Sequence, residues 1–227
     1  VECPNAYTDA GATAMDAESG DLTSFITVSG LPINTGAPGT YTVTYSVVDP
    51  ITLVTVTADR TVNVVDTVPP VITLNGDSSM TIECGSTFTD PGATVTDACA
   101  GNLPVTVTGS VNPNGVGMYT LTYSANDGYG NNATPVNRIV NVVDTTPPVI
   151  TLNGSSVMTI QCGSTFTDPG ATATDACAGN LPVTVTGSVN TAVMGAYTLT
   201  YSADDGNGNH TTANRTVNVI DTTPPVI

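Results

Sequence analysis

The sequence predicts an all-β chain built from small two-sheet sandwiches in tandem, and three observations support this prediction. Apolar residues alternate with Thr and Ser in short runs such as YTVTYSVVD at 41–49, the pattern of a half-buried antiparallel strand. Turn signals such as TDPGAT at 89–94 separate the runs. The pattern recurs about every 78 residues, which fits several short strands in each copy and leaves no room for a helix.

Three kinds of predicted strand recur along the chain. Each alternates apolar with polar residues, and the last kind places two Val residues on one face, with Arg and Asp ending the same row. The runs are YTVTYSVVD at 41–49 and YTLTYSAND at 119–127, LPVTVTGSV at 103–111 and 181–189, and RTVNVVD at 60–66, RIVNVVD at 138–144 and RTVNVID at 215–221.

A Pro-Pro motif marks the boundaries between copies. Adjacent prolines fix φ, donate no backbone hydrogen bond and force the preceding residue into extended geometry, so no helix crosses them, while the following Val-Ile favours a strand. The motif, DTVPPVI or DTTPPVI, occupies 66–72, 144–150 and 221–227. We therefore predict repeat 1 at 1–66, repeat 2 at 67–144 and repeat 3 at 145–221, with a spare first strand, linker or donor strand at 222–227.

The charge balance limits the classes of partner. The chain has 19 acidic and three basic residues, and all three basic residues are arginines. Nucleic acid and anionic membrane surfaces are disfavoured because both require clustered positive charge. No apolar run is long enough to span a membrane. An acidic surface suits solubility, divalent cations or a cationic partner.

The cysteines predict disulfides and an oxidising compartment. Cys84 and Cys99 recur as Cys162 and Cys177 with the same separation, so we predict one disulfide within each repeat, contributing about 3 kcal/mol by loop closure. Zinc is the disfavoured alternative, since its ligand pairs usually stand two to four residues apart and the chain has one histidine.

In repeat 1, Cys3 occupies the place of Cys84, but Glu18 occupies the place of Cys99. Two interpretations of Cys3 are open. It is either an intermolecular or free thiol, or a buried remnant of a lost pair.

Catalytic chemistry is not expected. The only histidine, His210, has Asn132 as its counterpart in repeat 2, and no nucleophile and base recur together. The repeated aspartates at turns are more often turn formers than acid or base catalysts.

The sequence establishes no cofactor, and calcium is the one metal for which it suggests a site. Asp205, Asn207 and Asn209 have the alternate spacing of a calcium loop, but the glycine and the final glutamate of such a loop are missing, which favours a plain hairpin turn. A site at the repeat boundaries is a better candidate. It would combine Asp66 or Asp144, beside the Pro-Pro motif, with turn carboxylates; the predicted ligands are Asp66, Asp90, Asp97 and Asp144.

The three arginines, Arg60, Arg138 and Arg215, occupy one repeat position on a row that also carries inward-facing Val. We predict a structural role, with each arginine paired to a carboxylate such as Asp97 or Asp175 at the rim of the sandwich.

The motifs DTTPPVITLNG, GSTFTDPGATATD, YTLTYSADDGNGN and RTVNV resemble the bacterial immunoglobulin-like repeats of large cell-surface and secreted proteins, which also occur as accessory modules of pesticidal crystal proteins. The resemblance covers essentially the whole chain. It implies an immunoglobulin-like (Ig-like) β-sandwich serving as a spacer or adhesion module in tandem outside the cell, and its motifs are nearly silent about activity, since such sandwiches carry unrelated functions. Repeat 1 departs from the pattern, with DAGATAMD for DPGATATD and DPITLV after its second tyrosine.

We therefore expect an extracellular structural protein that forms a filament or surface stalk by end-to-end arrangement of its repeats. The alternative is an adhesin segment that binds a host protein, matrix component or glycan, with the PITLVTV insertion of repeat 1 as its specialised surface.

The chain ends raise one more expectation. Val1 aligns with Ile82, so repeat 1 lacks the counterpart of 67–81, whereas 222–227 supplies a spare copy of the first strand. Either the sequence is an excerpt of a longer array, or the terminal PPVI completes repeat 1 of another copy by strand addition. The predicted polymer contact is Pro224, Pro225, Val226 and Ile227.

Overall fold

The alternating runs form strands with one buried face, as their pattern predicts. In the computed structural model, which describes residues 1–226, Val43 and Tyr45 are buried, whereas Thr42 and Thr44, which alternate with them, reach solvent. The chain is all-β, with three Ig-like repeats. Its one described helix is a single 3-10 turn at Thr23–Phe25, and none of the described helical structure is long and apolar enough to cross a membrane.

Repeat 1 contains five strands. They are β1 (Met15–Asp16), β2 (Gly20–Asp21), β3 (Thr27–Ser29), β4 (Gly39–Val48) and β5 (Thr55–Val64). β1 and β2 form one sheet, and the other has the order β3-β4-β5. An isolated parallel bridge joins Glu2 to Val65, just beyond β5.

Repeat 2 contains seven strands. They are β6 (Val71–Leu74), β7 (Ser79–Glu83), β8 (Ala93–Asp97), β9 (Gly101–Asn102), β10 (Thr106–Thr108), β11 (Gly117–Ser124) and β12 (Val136–Val143). One sheet has the order β6-β8-β9 and the other β10-β11-β12-β7. β7 pairs with β12 in parallel.

Repeat 3 has the same arrangement as repeat 2. Its strands are β13 (Val149–Leu152), β14 (Val157–Gln161), β15 (Ala171–Asp175), β16 (Gly179–Leu181), β17 (Thr184–Thr186), β18 (Gly195–Asp204) and β19 (His210–Ile220). The sheets have the orders β13-β15-β16 and β17-β18-β19-β14, and β14 pairs with β19 in parallel. β13 lies against both β18 and β19.

The chain divides into two compact units. One comprises Val1–Ser78, Pro91–Thr108 and Thr122–Arg138; the other comprises Ser79–Asp90, Gly109–Leu121 and the chain from Ile139 onward. The division passes through repeat 2, and each site described below lies inside one unit. The repeat boundaries at 66, 144 and 221 stay predictions.

Each repeat has an arginine beside a buried tyrosine ring. The guanidinium carbon lies 5.2 to 5.4 Å from the ring centre in the pairs Arg60–Tyr45, Arg138–Tyr123 and Arg215–Tyr201. Arg138 and Arg215 are completely buried. Cation–π contact and hydrogen bonds to backbone carbonyls thus give each arginine the structural role that the sequence predicts.

The predicted carboxylate partners of these arginines are wrong. Arg60 pairs with Asp9 and Arg215 with Asp168, whereas Asp97 and Asp175 lie elsewhere. Asp9 and Asp168 begin the DAGAT and DPGAT turns, so the partner is set by the turn that approaches the arginine across the sandwich.

Candidate functional sites at the repeat junctions

The first cysteine of each repeat lies where that repeat ends. Because β7 runs parallel to β12, the residue after β7 lies beside the last residues of β12. The Cys84 N–H donates to the Val143 carbonyl at 2.7 Å. Cys3 and Cys162 donate in the same way to the carbonyls of Val65 and Ile220. The first cysteine is therefore next to the linker that leads to the following repeat.

The second cysteine lies where its repeat begins. Cys99 is in the turn between β8 and β9, and its N–H donates to Asp97 Oδ1 at 2.7 Å. Asp97 in turn lies close to Asp66, the residue that opens the linker into repeat 2. The first cysteine of one repeat and the second cysteine of the next are thus brought to the same junction.

Both disulfides join consecutive repeats, Cys3 with Cys99 and Cys84 with Cys177, and Cys162 is a free cysteine. The predicted pairs Cys84–Cys99 and Cys162–Cys177 are wrong, and Cys3 is neither a free nor an intermolecular thiol. The physical reason is the parallel pairing of β7, which carries the first cysteine away from the second one of its own repeat.

One signal in the sequence could have revealed this pairing. Repeat 1 has a cysteine at the first position and Glu18 at the second, as expected if pairing is offset by one repeat.

Two groups of three aspartates lie at the same junctions. We call Asp66, Asp97 and Asp127 the first triad, and Asp144, Asp175 and Asp205 the second triad. In each, one carboxylate oxygen per residue lies within 4.8 Å of the other two. The first and last members are buried and the middle member is half-buried.

Local hydrogen bonds hold the carboxylates of the triads and leave three of their oxygens without a partner. In the first triad, Asp97 Oδ1 accepts from two N–H groups, of Cys99 and Ala100, and Asp127 Oδ1 accepts from three, of residues 129 to 131. Asp66 Oδ2 and Asp97 Oδ2 are buried and accept no hydrogen bond. Asp175 Oδ2 in the second triad is in the same state.

An asparagine ties each triad to its linker. Asn131 donates from Nδ2 to the Asp66 carbonyl at 3.1 Å and to Asp127 Oδ2 at 2.5 Å. Asn209 makes the equivalent bonds to the Asp144 carbonyl and Asp205 Oδ2. Each hairpin turn therefore fixes the carboxylate at the start of the linker relative to the repeat that follows.

Within the first triad the carboxylates differ in their proton affinity. Burial raises the pKa of Asp66, and the negative charges of Asp97 and Asp127 raise it further. Burial also opposes ionisation of Asp127, but Asn131 and three backbone N–H groups outweigh it and lower its pKa. The mutual repulsion of these carboxylates therefore opposes the ionised form of Asp66.

The predicted metal ligands are divided among three places. Asp66 and Asp97 meet in the first triad, and Asp144 belongs to the second. Asp90 belongs to neither; its counterparts in repeats 1 and 3, Asp9 and Asp168, are the partners of arginines. The sequence did not predict Asp127 and Asp175 as metal ligands. It favoured a plain hairpin turn for Asp205, which lies in that turn and is also a member of the second triad.

Repeat 1 has an open groove where repeats 2 and 3 have their first strand. In repeat 2, β6 pairs antiparallel with Ala93–Thr96, whose counterparts are Ala12–Met15. In repeat 1 these residues line a cavity of about 510 Å³ together with Tyr45, Val47 and Val56. We call it the acceptor groove; no other part of residues 1–226 fills it.

The predicted polymer contact is exposed. Pro70 and Pro148 of the internal linkers are buried, whereas their counterpart Pro225 is exposed, as is Pro224. Val226 is 99% exposed and forms no strand. Ile227 lies outside the described residues.

Tyr201, whose ring lies beside Arg215, leads to a prediction of how stability changes at high pH. Burial raises the pKa of Tyr201 to about 12, and its hydrogen bond to Asp168 adds to the effect. Because the unfolded tyrosine ionises near pH 10, the stabilisation present below pH 10 should be lost as the pH rises towards 12. Burial raises the pKa of Tyr45 to about 12 as well, so absorbance at 295 nm should show a late step to which both tyrosines contribute. Tyr201→Phe should reduce the amplitude of this step by one tyrosine, and an unchanged step would contradict the assignment.

Comparisons with known proteins agree with this architecture. A family model described as "Bacterial surface protein, Ig-like domain" matches residues 1–64, 72–142 and 150–219. The chain is 37% identical to hyalin of Lytechinus variegatus over 191 residues, covering 75% of this chain and 35% of that protein. It is 33% identical to hyalin of Strongylocentrotus purpuratus over 186 residues, covering 74% of this chain and 15% of that protein.

The chain thus spans about a third or less of these relatives. Among solved structures, a lipoprotein from Bacteroides thetaiotaomicron matches 34% of this chain and 40% of its own, with 29% identity and a TM-score of 0.31.

Proposed function

Because the chain belongs to the family of bacterial surface proteins with Ig-like domains, we propose that it is an extracellular structural protein whose copies join head to tail by strand donation. The donor is segment 222–227 of one copy, and the recipient is the acceptor groove of the next. Two disulfides favour an oxidising compartment outside the cytosol.

The observation that carries this proposal is the acceptor groove itself. In repeat 3, β13 pairs with β15 and lies against β18 and β19, so the first strand covers the mouth of the sandwich. In repeat 1 the corresponding strands, β4 and β5, contribute Val47 and Val56 to an open groove. Strand addition supplies main-chain hydrogen bonds along an unpaired edge and buries the apolar lining.

Segment 222–227 has the sequence that fills this position elsewhere in the chain. TTPPVI at 222–227 is identical to 145–150, which leads into β13. In repeat 2 the equivalent Ile72 is buried. The donated segment would bring Ile227 to the place of Ile72 and would place Val226 opposite Met15, in the register of Val71 opposite Thr96.

Strand donation would also assemble three aspartates, contributed by two copies, in the arrangement of the triads between repeats. Asp16 and Asp49 of repeat 1 correspond to Asp97 and Asp127, and their turns bond them in the same way, to the N–H groups of Glu18 and Ile51. Both line the acceptor groove. Asp221 corresponds to Asp66 but is exposed. Strand donation would bring Asp221 of one copy to Asp16 and Asp49 of the next.

A cysteine pair tests the register directly. In a Cys162→Ser background, Met15→Cys combined with Val226→Cys should yield a ladder of disulfide-linked oligomers on non-reducing gels. The matched control joins Val226→Cys to Phe25→Cys, since Phe25 is exposed outside the acceptor groove and should give no ladder.

Head-to-tail assembly should also respond to deletion of the donor segment and to a competing peptide. Deleting 222–227 should abolish sedimenting oligomers, and a peptide TTPPVITLNG, which carries the complete strand of repeat 3, should dissociate them. Oligomers that persist unchanged after the deletion would refute strand donation.

Adhesion is the alternative function, and one feature favours it. The insertion of repeat 1 exposes the apolar side chains of Ile51, Leu53, Val54 and Val56. Val54 and Val56 also line the acceptor groove, so assembly accounts for part of this surface. We therefore favour assembly.

A further inference from the structure

The first triad contains a buried carboxylate oxygen that has no partner. Asp66 is 7% exposed, and its Oδ2 atom accepts no hydrogen bond. One of its carboxylate oxygens lies within 4.8 Å of an oxygen of Asp97 and of Asp127. Burying an ionised carboxylate without a partner is costly, so such atoms are rare in native proteins and indicate an ion or water at the site.

No basic side chain neutralises either triad. The chain has three basic residues, Arg60, Arg138 and Arg215, and each lies beside a tyrosine ring of its own repeat. Three aspartates converge in each triad without a described cationic partner. Asp66 and Asp97 in the first triad and Asp175 in the second each keep one buried oxygen that accepts no hydrogen bond.

The spacing of the oxygens fits a calcium ion. Calcium takes oxygen ligands at about 2.3–2.6 Å, so two oxygens on opposite sides of one ion stand up to about 5 Å apart. The three oxygens of each triad lie within 4.8 Å of one another. Magnesium binds at about 2.0–2.1 Å and retains several waters, which suits a preformed cluster of three protein carboxylates less well.

We propose that each triad binds one calcium ion, with Asp66, Asp97 and Asp127 as ligands at the first junction and Asp144, Asp175 and Asp205 at the second. The ion bridges the carboxylate that opens a linker and two turn carboxylates of the repeat that follows. It replaces repulsion among three charges by attraction and thereby fixes the linker. The inference does not depend on head-to-tail assembly, because both triads are complete within one chain.

Calorimetric titration of the chelator-treated full chain with calcium chloride tests the stoichiometry. We expect two sites per chain. Asp97→Asn and Asp175→Asn should each remove one site, and the double variant should remove both. The amide oxygen of asparagine can still accept the turn hydrogen bonds, so these variants should fold.

Asp77→Asn is the matched control, since Asp77 is exposed, lies outside both triads and undergoes the same change in charge. It should keep both sites. Calcium at about 100 times its dissociation constant should also raise the melting temperature of the unaltered chain by at least about 5 °C.

Three outcomes would overturn the proposal. One is the absence of both binding heat and a melting shift at millimolar calcium. Another is binding that Asp97→Asn and Asp175→Asn leave unchanged, which would show nonspecific association with the acidic surface. Equal affinities for calcium and magnesium would contradict the choice of ion.

Discussion

Replacing Cys84 and Cys177 together with serine should lower the free energy of unfolding by about 4–5 kcal/mol, the largest single effect that we expect. The disulfide closes a loop with a sequence separation of 93 residues, and the loss of chain entropy on closure increases with loop length. Urea denaturation followed by circular dichroism measures the change. Peptide mapping without reductant should find Cys84 and Cys177 in one linked peptide pair.

Cys162→Ser is the control for this experiment, because Cys162 is free and its replacement should leave the unfolding curve unchanged. The interpretation would be refuted by linked peptides that contain Cys84 and Cys99. It would also be refuted if Cys162→Ser were as destabilising as the double variant.

Arg215→Met should destabilise repeat 3 by about 3–5 kcal/mol. The guanidinium is fully buried and donates to the carbonyls of Asn153 and Gly170, at 2.7 and 3.1 Å, and to the Tyr201 hydroxyl at 2.8 Å. Methionine fills similar space but donates nothing, so these oxygens and the Asp168 carboxylate lose their shared partner. Hydrogen exchange measured by mass spectrometry should show faster exchange in peptides from β18 and β19.

Arg60→Met is the matched control. Its side chain is 35% exposed, so water can replace the lost bonds and the destabilisation should be clearly smaller. Arg215→Lys should recover only part of the stability, since an ammonium group cannot make the same planar set of bonds. Equal losses for Arg60→Met and Arg215→Met would contradict the importance of burial.

The sequence predicted the fold because its signals are local and periodic. Alternation of apolar residues with Thr and Ser defines a strand by itself, and the recurrence of Tyr41, Tyr119 and Tyr197 defines the repeats. The partners of a strand are not local. Nothing in the SMTIE sequence of β7 states that it pairs in parallel with a strand some 60 residues later, and the disulfide prediction failed for that reason.

The candidate metal sites were predicted in part for a related reason. Asp66 and Asp97 could be anticipated, since one adjoins the linker and the other a turn. Asp127 fits the description of a turn former, and it does accept three backbone hydrogen bonds. Those bonds use Oδ1, and Oδ2 accepts one bond from the Asn131 side chain. Because a carboxylate oxygen has a second lone pair, a turn former can also be a metal ligand, which a sequence motif does not reveal.

The offset of the disulfides has a consequence for damage to the chain. The segments 3–99 and 84–177 overlap, so a single peptide-bond cleavage anywhere between Cys3 and Cys177 leaves its two fragments joined by at least one disulfide. Pairing within repeats would have protected only the short segments 84–99 and 162–177. A protease that cleaves one exposed turn in this range would therefore not separate the two parts of the chain. The protein would stay covalently continuous after such a cleavage.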